Sequence, residues 1–190
     1  MMNILFLSQS TPGFSTLRSN HMRKFLERQE GCTLHEVSLT PQNIYDEQIQ
    51  VTLHSLSTYC DVIVTAGPFL PALVIPYLDT KTPLWMDWPS DPLADGLSKY
   101  TIQKNTNWTE IRNAVQLALS RADAFGVISQ RSKDALIGQL MLLGRADTNF
   151  FSTGVFVTPV VCDFPESIYI PTDDEKENKE TFDILICGSL

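Results

Sequence analysis

Short runs of branched and aromatic residues alternate along this chain with stretches whose apolar residues recur every three or four positions. That alternation leaves few architectures open. The clearest run is Asp61-Val62-Ile63-Val64-Thr65, where three successive branched residues suit a parallel strand covered on both faces. Further strands are predicted at 3–8, 34–39, 83–87, 124–128 and 155–161. The second of these alternates, with Leu34, Glu36 and Ser38 on one side and His35, Val37 and Leu39 on the other. Helical stripes lie between. Met22, Phe25 and Leu26 mark one face of a helix that starts near Ser19 and stops at Gly31. Ile49, Leu53 and Leu56 mark a second over 44–59, and a short one spans 70–78. Asn107 and Glu110 form a capping-box pattern ahead of Trp108, Ile111, Val115, Ala118 and Leu119. Leu136, Leu140 and Leu143 run in phase from Ser129 or Gln130 to Gly144. The order predicts an α/β fold, a doubly wound, Rossmann-like parallel sheet with helices on both faces.

In such sheets ligands sit beyond the carboxyl ends of the strands. Three loops qualify: 8–16, 66–69 and 87–95. The first offers the hydroxyls of Ser8, Ser10, Thr11, Ser15 and Thr16 around Pro12-Gly13, with Phe14 among them. Such a loop suits an anion at a helix N-terminus or is an ordinary polar turn. It is neither a dinucleotide fingerprint nor a phosphate-binding P-loop. Gly67 turns the chain after the third strand. The loop after the fourth strand gathers Trp85, Asp87, Trp88, Asp91 and Asp95, indoles and carboxylates of the kind that hold sugar rings. Against that, Trp85 reads equally as core, and Asp91-Pro92 as a turn initiator. Asp87 and His21 are the two candidate catalytic groups, His21 as a general base at the start of the first helix or as a structural residue. The histidines His21, His35 and His54 fall in different elements, so no metal site is expected.

The net charge of −8 argues against nucleic acid as a partner. Arg18, Arg23, Lys24 and Arg28 do collect around the first helix, as a solvated face or as a site for an anionic ligand. Cys32, Cys60, Cys162 and Cys187 are too scattered for zinc or a dithiol, and buried thiols fit a reducing, cytoplasmic setting. No segment has the length and apolarity of a transmembrane span, and the start of the chain reads as a first strand in place of a signal peptide. The sequon Asn107-Trp108-Thr109 is read as a chance match.

An acidic stretch over 171–181 precedes a final apolar run, Phe182-Asp183-Ile184-Leu185-Ile186-Cys187-Gly188-Ser189. The expected division is one domain over 1–162, a linker over 163–181 and, over 182–190, the first strand of a truncated second domain. Four segments carry a resemblance to the N-terminal half of GT-B glycosyltransferases of the family 4 type. They are Asn3-Ile4-Leu5-Phe6-Leu7-Ser8 with Thr33-Leu34-His35-Glu36-Val37-Ser38; Asp61 to Gly67; Arg121-Ala122-Asp123-Ala124-Phe125-Gly126-Val127-Ile128-Ser129; and the closing run. The resemblance implies an acceptor-side domain of an enzyme that moves a sugar from a nucleotide-sugar to an acceptor. The partners it implies are a sugar or glycan acceptor and a C-terminal domain holding the nucleotide-sugar donor, with no cofactor in this chain and no activity by this chain alone. On that resemblance the Gly13 loop, with Ser10, Thr11 and Phe14, approaches the donor phosphates and the Asp87 loop, with Trp88 and Asp91, lines the acceptor pocket; Gly67 is a further substrate-binding candidate. Two positions depart from the family pattern. Pro12-Gly13 stands where a Gly-Gly is usual, and Asp87-Trp88 where many relatives place a histidine. Two other classes remain open: a flavodoxin-like module, with the 8–16 loop on FMN phosphate and Trp88 on the flavin, and a non-catalytic interaction domain.

Overall fold

A computed structural model of the chain describes residues 1–9, 14–94, 107–145 and 154–158, with backbone alone for 14–17. Six strands form one sheet: β1 (Met2–Gln9), β2 (Cys32–Leu39), β3 (Val62–Thr65), β4 (Leu84–Trp88), β5 (Ala124–Val127) and β6 (Val155–Val157). Among the described residues the helices between them are α1 (Phe14–Glu27), α2 (Glu47–Tyr59), α3 (Phe69–Val74), α4 (Trp108–Arg121) and α5 (Gln130–Leu142), with a further helical turn at 92–94. Every strand pair is parallel, in the order β2-β1-β3-β4-β5-β6. The expected doubly wound sheet is therefore present, and the direction of winding reverses between β1 and β3.

Handedness distributes the helices. A right-handed crossover from β1 to β2 runs one way along the sheet, and every later crossover runs the other. So α1 takes one face and α2 to α5 the opposite one. Packing agrees. Leu5, Leu7, Val37, Leu39, Ile63, Leu84, Met86, Phe125 and Val127 point to the α2–α5 face and join a single core. Leu53 of α2, Leu70 and Val74 of α3, Val115 and Leu119 of α4, and Leu136 and Leu140 of α5 belong to the same core. Each such side chain, fully buried, contributes about 1.5–3 kcal/mol before entropy is counted. On the α1 face Ile4 and Phe6 are buried, but Val62 and Val64 are only half-buried. The expected cover on both faces is fuller on one: Ile63 and Thr65 are buried on the α2–α5 side, whereas Val62 and Val64 are half-buried on the α1 side.

Local chemistry sets the element ends. Asp46 caps α2 by accepting from the Gln48 N–H, which splits the predicted 44–59 helix into a short 3-10 turn, Asn43–Tyr45, and α2. Asn107 caps α4 through the Glu110 N–H, but Glu110 accepts from the Tyr45 hydroxyl and does not complete the box. Ser129 caps α5 through the Ser132 N–H. Gly31, with φ of 78°, makes the turn before β2, a conformation that costs glycine little. At the amino end of the sheet, Arg121 donates to the Asp79 and Thr82 carbonyls and pairs with Asp123, whose carboxylate accepts from the Leu84 N–H. That network closes the end of the sheet remote from the ligand-binding edge. The predicted linker and final strand, 163–190, lie outside the described residues.

Candidate functional site

The carboxyl ends of β1, β3, β4 and β5 meet at the winding reversal, and the fourth strand supplies the central charge there. Asp87 lies near the end of β4, on the α1 face, 1% exposed. An isolated buried carboxylate would be very costly. Arg18 of α1 neutralises it from above. Arg18 Nε donates to both carboxylate oxygens at 2.8 Å, and Nη2 donates to Oδ1 at 2.7 Å. The Gly67 backbone N–H is a further donor to this carboxylate. The guanidinium is itself enclosed, with Arg18 9% exposed, and Nη2 also donates to Thr158 Oγ1 at 2.8 Å. Thr158 follows β6, and its hydroxyl donates on to the Val127 carbonyl. One buried ion pair therefore ties α1 to the ends of β4, β5 and β6 and to the turn after β3.

Burial pushes the Asp87 carboxyl above the ordinary carboxylate value, and the Arg18 guanidinium and Gly67 N–H oppose that shift. Desolvation is the larger effect. The strand beneath is held firmly: the Asp87 N–H donates to Thr65 Oγ1, and Thr65 Oγ1 donates to the Gly67 carbonyl. Gly67 has φ of 89°, a geometry in which any side chain would be strained, and a Cβ there would lie against the Gln9 amide. Gly126, opposite Asp87 on β5, makes room for Trp85; a Cβ there would run into the indole.

The predicted site residues separate in this structure. Gly67 and Asp87 are brought together. Asp91 lies apart from them, committed to local structure: Oδ1 accepts from the Leu93 and Ala94 N–H groups, and Oδ2 accepts from Gln139 of α5. Trp88 is 2% exposed and packs edge-on against Phe125, so its ring has no open face for a sugar or a flavin. Trp85 is half-buried on the Asp87 side of β4. His21 is half-buried on α1, three residues past Arg18. Ser10, Thr11 and Gly13 lie outside the described residues. Phe14 begins α1, and its side chain is likewise outside them.

Two members of the cluster, Arg18 and Thr158, are not among the predicted site residues. The sequence groups Arg18 with Arg23, Lys24 and Arg28 as a solvated helix face or an anionic-ligand site, and those three do lie at or near the surface. The distinguishing signal is phase. Arg18, Met22 and Leu26 are spaced i, i+4, i+8, which places Arg18 on the inward stripe of α1. Thr158 carries no comparable signal.

Among the described residues no group of three or more His, Cys, Asp or Glu side chains is placed to hold a metal ion. No helix among them is long and apolar enough to cross a membrane.

No family model and no curated protein matches the chain. Among solved structures it is similar to LpCGTa in complex with UDP, at 15% identity and a TM-score of 0.43, over 86% of this chain and 48% of that one. The chain spans about half the length of that protein. So loose an overlap says nothing of ligand or reaction.

Proposed function

We propose that this domain is the acceptor side of a GT-B-type glycosyltransferase, working with a second domain that holds the nucleotide-sugar donor. The observation that carries the reading is the cluster of polar groups buried beneath α1 at the winding reversal, where the ends of β1, β3 and β4 bring Ser8, Gln9, Gly67 and Asp87 together. The sequence resemblance over residues 3–8, 33–38, 61–67 and 121–129 supports the same reading. Domain limits of 1–162, with a linker at 163–181 and a second domain from 182, belong to this proposal.

Within it, Asp87 acts by position. Its oxygens are committed to Arg18 and Gly67, so it orients α1 over the strand ends instead of accepting a substrate proton. His21, one turn along α1, is the candidate base. Gly67 and the 10–14 segment border the substrate. A sugar bound on one wall alone lacks the donor and most contacts to the transition state, so the domain by itself does not turn over.

The test uses the 190-residue chain in saturation-transfer NMR against a panel of glycosides and sugar nucleotides, with a parallel assay for donor hydrolysis. Contact with a subset of glycosides and no hydrolysis is the expected result. Turnover of a sugar nucleotide by this chain, or no glycoside contact at millimolar concentration, would overturn the proposal.

A second reading has one observation in its favour. The order β2-β1-β3-β4-β5 is that of flavodoxin-like sheets, which bind FMN at the same reversal. Buried Trp88 cannot stack on the flavin, so another aromatic would have to. Quenching of FMN fluorescence on titration with the chain would move the assignment to that class.

A further inference from the structure

We draw no further inference here: the strongest candidate, the apolar side chains exposed at the end of α5 (Met141, Leu142 and Leu143) and along the edge strand β6 (Phe156 and Val157), carries nothing, because nothing in the structure shows what covers them.

Discussion

Arg18 and Asp87 show how one contact outweighs many at this site. The pair is buried, bidentate and surrounded by further hydrogen bonds, yet desolvation still raises the Asp87 carboxyl. The folded-state value lies above the unfolded one. Folding therefore takes up a proton on this group between the two values. Its contribution to stability is complete below the unfolded carboxylate range, about pH 4, and is lost as pH rises through the raised folded value. Two results are expected from urea unfolding over a pH series. Arg18→Met alone costs about 3–5 kcal/mol at neutral pH, because it strands a buried carboxylate. The double variant Arg18→Met with Asp87→Leu recovers most of that, and its stability relative to the wild type improves as pH rises. A double variant that stays as unstable as the single at every pH would contradict this account.

Among the elements, boundaries were least legible where polar residues do the work. The segment holding Ser15 and Thr16 reads as loop because hydroxyl residues have modest helix propensity, yet α1 begins at Phe14. Asp46 interrupts an apolar stripe that is otherwise continuous, and its cap, not the stripe, sets the start of α2. Ser129 is the opposite case, a cap legible at once because it stands between a strand run and a helical stripe. Ser129→Ala is expected to lower stability by about 1 kcal/mol, read as a shift in the urea midpoint with unchanged slope. No shift would mean that the Ser132 N–H finds another acceptor.

Among the described residues the sheet is covered unevenly, with α2 to α5 over one face and α1 over the other. Substitution should feel that difference. Leu53→Ala, in the shared core, is expected to cost about 2–5 kcal/mol. Val64→Ala, half-buried under the α1 side, should cost clearly less, about 1 kcal/mol. Equal losses in urea unfolding would mean that both faces are packed alike.

Hydrophobic periodicity is a local property, so the sequence alone determined the strands, the helices, their order, and through handedness the parallel sheet with its binding edge. It also brought Asp87 and Gly67 to that edge. Which charges meet there was decided only in three dimensions. Arg18 and Asp87 stand 69 positions apart, and Arg18 and Thr158 stand 140 apart. Their contact depends on the strand order, on the register that sets Asp87 opposite Gly126, and on the angle at which α1 crosses the sheet. None of these is written in any one segment, because each arises from how the segments pack together.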